Sequence, residues 1–239
     1  MTAAGIACGS IRRASMKVRI LRQRTPEDEP YWEEFNYDGP ENNTVAGLLD
    51  YINYNDDIVN TKGEITARIG WENSCLQGVC GACAMVVNDK PVLACQTFIK
   101  DLGGTVTIRP LRKFPVIHDL IVDRSSIQQN LVEDNVYIGE YNPLDAMDQE
   151  QDYISAKCLK CGLCMEVCPN YVNGKNFFGG AFANDCYLVS ERNREKSKEI
   201  NKVYGKHFGK SCSKALSCMK VCSVGISHIS VIAKLNKRW

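Results

Sequence analysis

CLKCGLCMEVCP (residues 158–169) places four cysteines at intervals of three, three and four residues, followed by a proline. Bacterial ferredoxins bind cubane iron–sulfur clusters with this spacing. CSKALSCMKVCS (212–223) repeats it, with an alanine at the second cysteine position. In two-cluster ferredoxins the fourth cysteine of each run binds the other cluster. The two stretches therefore predict one domain built around two clusters.

This exchange assigns a ligand set to each cluster. One cluster receives four thiolates and is predicted to be [4Fe–4S]. The other receives three, with the methyl group of Ala215 at the fourth corner, where it cannot coordinate metal, so this cluster is predicted to be [3Fe–4S]. The competing interpretation is that the second cluster is absent, but cysteines keep the ferredoxin spacing on both sides of Ala215. The predicted ligands are Cys158, Cys161, Cys164 and Cys222 for [4Fe–4S] and Cys168, Cys212 and Cys218 for [3Fe–4S].

An earlier cysteine group has a different spacing. CLQGVCGAC (75–83) is followed by one distant cysteine, which is the plant-type [2Fe–2S] pattern. Gly78 and Gly81 allow the loop to wrap tightly around a small cluster. Structural zinc is the alternative, but zinc sites more often pair two short knuckles. The predicted [2Fe–2S] ligands are Cys75, Cys80, Cys83 and Cys95.

The sequence around this loop predicts a β-grasp ferredoxin domain. A helix is expected over 44–53, with Asn43 as its cap, and a hairpin over 84–95 that turns at Asn88 and Asp89. Further strands are expected over 17–22, 33–37 and 104–110.

Downstream of about residue 115 the strand signal fades and helical patterns remain, over 118–134, 190–210 and 229–239. The predicted fold class is therefore α+β. Its predicted parts are a flexible N-terminal extension (1–15), a β-grasp [2Fe–2S] domain (16–115) and a helical [4Fe–4S]/[3Fe–4S] ferredoxin domain (116–239).

Composition agrees with a globular chain and separates the two halves by charge. The chain has 239 residues, of which 44% are hydrophobic and 24% charged. Residues 157–239 carry 15 Lys/Arg against 5 Asp/Glu, whereas 1–156 carry 14 against 23. Thirteen cysteines, most of them at short gaps, make a poor disulfide framework and indicate ligation in a reducing compartment. Cys8 and Cys186 are predicted to be spectators.

These features together resemble the iron–sulfur subunit of the succinate dehydrogenase/fumarate reductase family over residues 16–239. In that family the position of Ala215 is also not a cysteine, and its cluster is [3Fe–4S]. The resemblance rests on LLDYI, SCLQGVCGACAMVVN, LACQTFIKDL, FPVIHDLIVD, CLKCGLCMEVCP and the Gly179–Gly180–Ala181 step.

The resemblance implies a role with no substrate chemistry on this chain and no catalytic residue in it. Such a subunit passes single electrons between a flavoprotein with covalent FAD and a membrane anchor that binds quinone, with or without haem b. The N-terminal domain would face the flavoprotein and the basic C-terminal domain the anchor. The subunit would lie peripherally on the cytoplasmic face of the inner membrane, with no transmembrane segment of its own.

The residues expected near the quinone differ from the sequence pattern of the ubiquinone-reducing members of the family. Ubiquinone-reducing members tend to have a Trp shortly after the Cys–Pro and a His after the next cysteine, whereas this chain has Asn170, Tyr171 and Ser213 in those stretches. The departure favours menaquinone and a quinol:fumarate reductase. His207 and His228 are interpreted as surface or packing histidines, and Ser223, where the family usually has proline, alters a turn but not ligation.

Two other functions are compatible with the sequence. One is an iron–sulfur carrier for a soluble thiol-linked or heterodisulfide-type reductase. The other is a zinc-rich scaffolding or nucleic-acid module, which only the basic C-terminal half supports.

Overall fold

A computed structural model of the chain describes residues 12–140 and 149–237. The chain forms a β-rich N-terminal part and a helical C-terminal part, which confirms the predicted α+β class. Cys8 and most of the predicted extension lie outside the described residues. The last residues of that extension are paired, because the N–H of Ala14 donates to the carbonyl of Gly39 at 2.9 Å.

The N-terminal part is a mixed five-stranded sheet with the strand order β2-β1-β7-β5-β6. Strand β1 lies parallel to β7 and antiparallel to β2. Burial alternates along β1, as expected for a strand with one face on a core. The strands are β1 (Met16–Arg22), β2 (Tyr31–Tyr37), β5 (Ala84–Val87), β6 (Lys90–Leu93) and β7 (Thr105–Arg109), with a separate short pair β3 (Ile58–Val59) and β4 (Ile65–Thr66).

One helix, α1 (Val45–Asn53), packs against this sheet and buries Val45, Leu48, Leu49 and Ile52. Its N-cap is Thr44, whose Oγ1 accepts a hydrogen bond from the N–H of Gly47 at 3.2 Å, so the prediction of an Asn43 cap was wrong by one residue.

The tight turn between β5 and β6 lies where the sequence predicted it. Asn88 and Asp89 have φ of 45° and 61°, which gives the two-residue turn that matches strand twist.

The predicted helix over 118–134 begins later than expected. Residues up to 122 form a hairpin of β8 (Val116–His118) and β9 (Ile121–Val122), and α2 spans Ser125–Glu133. Asp119 has φ +49° at the turn, and its carboxylate accepts hydrogen bonds from the backbone of Gln23 and Gly70 at 3.0 and 2.9 Å. These tertiary contacts outweigh the local helical pattern.

The C-terminal part packs helices around the long helix α5 (Gly179–Arg192), whose residues are largely buried. Helix α6 (Ser197–Tyr204) continues into a π-helical turn over Gly205–Gly209. Within the two described segments, no helix is long and apolar enough to cross a membrane. The other helices are α3 (Gln149–Ala156), α4 (Leu163–Glu166), α7 (Ser217–Lys220) and α8 (His228–Asn236).

Candidate functional site

The first cysteine loop, 75–83, lies next to Cys95, the last of its four predicted ligands. The Sγ atoms of Cys83 and Cys95 are 3.4 Å apart. Backbone N–H groups of the loop donate to the sulfurs of Cys75 and Cys80 at 3.3 and 3.4 Å. Such N–H donors stabilise thiolate sulfur and tune the potential of a bound cluster.

The electrostatics of this loop differ between its exposed and buried ends. Hydrogen bonding, first from the N–H of Gln77, lowers the pKa of Cys75 to about 6. Burial raises the pKa of Cys83 to about 12. A thiol in that buried position ionises at neutral pH only beside a positive partner such as iron. The donor set therefore fits an iron–sulfur cluster.

The helical domain holds two neighbouring cavities, each lined by cysteines from both ferredoxin-like stretches. Cys222 lines the first cavity, with the three leading cysteines of the first stretch. Cys168 lines the second, with Cys212, Cys218 and Ala215. The structure thus brings together the two ligand sets that the exchange rule predicts. The first cavity's remaining cysteines are Cys158, Cys161 and Cys164.

The two stretches also share one local backbone structure. Lys160 and Gly162 have φ of 53° and 86°, and Lys214 and Leu216, at the matching positions, have 57° and 56°. In each stretch the second of these left-handed residues caps a one-turn helix, α4 or α7. Ala215 therefore occupies the place that Cys161 has in the first stretch.

The surroundings of the cavity cysteines suit cluster-bound thiolates better than free thiols. Burial raises the pKa of Cys164 well above its ordinary value and that of Cys218 to about 11. Backbone N–H groups donate to the sulfurs of Cys212 and Cys222 at 3.4 and 3.3 Å. In a cubane-type cluster each thiolate binds its own iron, so the sulfurs surround a group of atoms rather than one ion. Within 12–140 and 149–237, no three His, Cys, Asp or Glu side chains are close enough to hold a single metal ion.

Of the predicted quinone-side residues, Asn170 and Ser213 line the mouth of the second cavity, and the Ser213 hydroxyl donates to Asn170 Oδ1 at 2.6 Å. Tyr171 is placed elsewhere. Its side chain is 2% exposed, its ring lies 5.8 Å from that of Phe114, and its hydroxyl donates to Asn173. The structure therefore separates Tyr171 from the other two.

The two histidines of this region are packing residues. His207 is buried and stacks on Phe178 with ring centroids 3.9 Å apart. His228 is buried at the start of α8 and forms part of the lining of the first cavity. Cys186 is buried within α5 and lines neither cavity.

Two charged residues near the cysteines were missed by sequence reasoning. Lys160 lies between two predicted ligands, and its ammonium group pairs with the carboxylate of Asp185 on α5. Arg124 lies between the first and second cysteine groups and contacts the backbone of both. A left-handed lysine inside the motif and an arginine just ahead of a helix carry no sequence signature, so only the folded chain identifies them.

Comparison with known proteins agrees with this architecture. A family model described as a 2Fe-2S iron–sulfur cluster binding domain matches residues 17–129, and one described as a 4Fe-4S binding domain matches 152–172. A solved structure of the Mycobacterium smegmatis Sdh1 complex in the apo form contains a chain of the same fold, with a TM-score of 0.72, 22% identity and coverage of 95% of this chain and 98% of that one.

Two curated relatives are similar over nearly their whole length. The succinate dehydrogenase iron–sulfur subunit of Bacillus subtilis is 34% identical, over 91% of this chain and 90% of the relative. The fumarate reductase iron–sulfur subunit of Haemophilus influenzae is 30% identical, with the same coverage of each chain. This chain therefore belongs to the family of electron-transferring iron–sulfur subunits of succinate dehydrogenase and fumarate reductase.

Proposed function

We propose that the chain relays single electrons between a flavoprotein with covalent FAD and a quinone at a membrane anchor, with [2Fe–2S], [4Fe–4S] and [3Fe–4S] clusters. The observation that carries this proposal is the lining of the two cavities. One has four cysteines, and the other has three cysteines with Ala215 in the fourth place. The bound clusters would supply one-electron carriers, which side chains alone do not provide.

The protein's own part is to hold the thiolates and favour their charged form. N–H donors reach the sulfurs of Cys75, Cys80, Cys212 and Cys222. The ammonium group of Lys160 opposes the effect of burial on the pKa of Cys158. These groups stabilise the negative charge of the thiolates.

The two domains would face different partners. In the first cysteine loop Leu76 and Val79 are exposed apolar side chains, which suit a contact with the flavoprotein. The helical domain carries the basic charge and would sit against the anchor. The chain would then lie peripherally on the cytoplasmic face of the inner membrane. We assign residues 16–115 to the first domain and 116–239 to the second.

The preference for menaquinone, and for fumarate reduction over succinate oxidation, rests on the second cavity. Its mouth carries the Ser213–Asn170 hydrogen bond in place of a histidine and a tryptophan. A hydroxyl and an amide can still donate to and accept from a quinone oxygen, but neither titrates near neutral pH.

Addition of succinate to the anaerobic, oxidised native complex tests this function. We expect succinate to reduce the clusters, seen as the EPR signal of a reduced [2Fe–2S] centre, and a menaquinone analogue to reoxidise them. Isolation of the chain with a covalent-flavin protein but without a membrane anchor would favour the soluble-carrier alternative. Bound zinc without acid-labile sulfide would favour the scaffolding alternative.

A further inference from the structure

The side chain of Arg124 joins the first two cysteine groups. It lies between β9 and α2 and is 15% exposed. Nη1 donates to the carbonyls of Gly81 and Cys161 at 2.9 and 3.3 Å. Nη2 donates to the carbonyl of Ala82 at 3.3 Å and to the carboxylate of Glu72. Four of the five N–H donors of the guanidinium are thus used, and three of them reach backbone carbonyls within the cysteine groups.

The two loops also touch directly at Gly81. A Cβ atom placed on Gly81 would lie 2.8 Å from Cys161 Cβ and 2.9 Å from Leu159 Cβ, and the residue has φ +78°. No side chain fits between the loops at this point. Because electron tunnelling slows steeply with distance, this contact favours rapid transfer between cofactors held by the two loops.

We propose that Arg124 is a positioning residue for electron transfer between the [2Fe–2S] and [4Fe–4S] sites. It fixes the spacing of the two loops and places one positive charge between them. This inference rests on the proposed function, since it assumes that both sites are loaded.

The positive charge of Arg124 should raise the reduction potentials of the two clusters, because thiolate-bound clusters are negative and become more negative on reduction. A nearby guanidinium stabilises the reduced form of each, and partial burial keeps solvent from screening it fully. Glu72 opposes this charge, but its side chain is 36% exposed against 15% for Arg124, so solvent screens it more.

EPR-monitored redox titration of the intact complex tests the charge. In Arg124→Met we expect the equilibrium constant for one-electron reduction to fall about tenfold at each of the first two clusters, or about 59 mV. The third cluster keeps its potential. In Arg124→Lys, which keeps the charge, both potentials should differ from the wild-type values by no more than about half of that shift. Arg19→Met is the control, because that guanidinium pairs with Glu34 on the exposed face of β1 and β2.

A second pair of variants tests the spacing. Gly81→Ala leaves the guanidinium in place but forces the loops apart, so we expect weaker magnetic coupling between the two reduced clusters and slower transfer between them. Gly63→Ala has the same left-handed backbone cost, with φ +81°, but no atom within 4 Å of the added methyl group, so it should leave the coupling unchanged.

The proposal is overturned if Arg124→Met leaves both potentials unchanged, or if Arg19→Met shifts them equally. If Arg124→Met does not assemble, the lysine variant decides: potentials like those of the wild type support the proposal, and an equal fall at all three clusters contradicts it. If the wild-type complex lacks clusters that succinate can reduce, the proposed function fails instead, which is a separate result.

Discussion

Replacement of Arg22 by methionine is expected to cost about 3–5 kcal/mol of the free energy of unfolding, as loss of one partner from a buried charge network does. Arg22 is 0% exposed, with Nη1 2.6 Å from Glu33 Oε2 and Nη2 3.0 Å from Asp119 Oδ2. Nη2 also donates to the carbonyls of Ala67 and Arg68 at 3.1 Å. Methionine would keep much of the volume but leave two buried carboxylates without their cation.

The effect would reach beyond the sheet because Asp119 is the turn residue of the β8–β9 hairpin. This hairpin connects the sheet to α2 and the helical domain. Thermal unfolding of the variant, followed by circular dichroism, measures the loss. Arg19→Met removes an ion pair whose side chains are 42% and 40% exposed, so its loss should stay below about 1 kcal/mol. Equal losses in the two variants would contradict the account of the buried network.

Replacement of Cys222 or Cys168 by serine is expected to remove one cluster each. In each variant the lost cluster is the one held mainly by the other cysteine stretch. Cys222→Ser should lose the four-iron cluster and keep the three-iron one, because Cys222 lines the first cavity. Cys168→Ser should have the reverse effect, because Cys168 lines the second. EPR with iron and sulfide determination distinguishes the two outcomes.

Cys186→Ala is the matched control, since this cysteine is buried in α5 away from both cavities and its loss should leave the cluster content unchanged. If Cys168→Ser removed the four-iron cluster and Cys222→Ser the three-iron one, each stretch would bind its own cluster. The exchanged ligand sets would then be wrong.

Several features of this fold can be predicted from residues that are close together in the sequence. Cysteine spacing predicts the grouping within each stretch because the loops around a cluster are only a few residues long, whereas the exchange of Cys168 and Cys222 between the stretches follows from the ferredoxin pattern. The turn at Asn88 and Asp89 is equally local, since both residues tolerate the left-handed backbone.

What could not be predicted depends on partners distant in the chain. The helix expected from residue 118 gives way to a hairpin because Asp119 binds backbone groups at Gln23 and Gly70. Tyr171 follows Asn170 directly, yet only the packing of its ring on Phe114 shows that it turns away from the cavity. Arg124 acquires its role solely from two loops that folding brings together.

The central claim is that the chain holds three different clusters, the last of them short of one iron because Ala215 replaces a ligand. EPR of the anaerobically isolated native complex, oxidised with a quinone, tests it most directly. We expect the signal of an oxidised three-iron cluster, in an amount close to one per chain and lost on reduction, because an oxidised [4Fe–4S]²⁺ cluster is silent. An EPR-silent oxidised sample with a full complement of iron and sulfide would contradict the assignment.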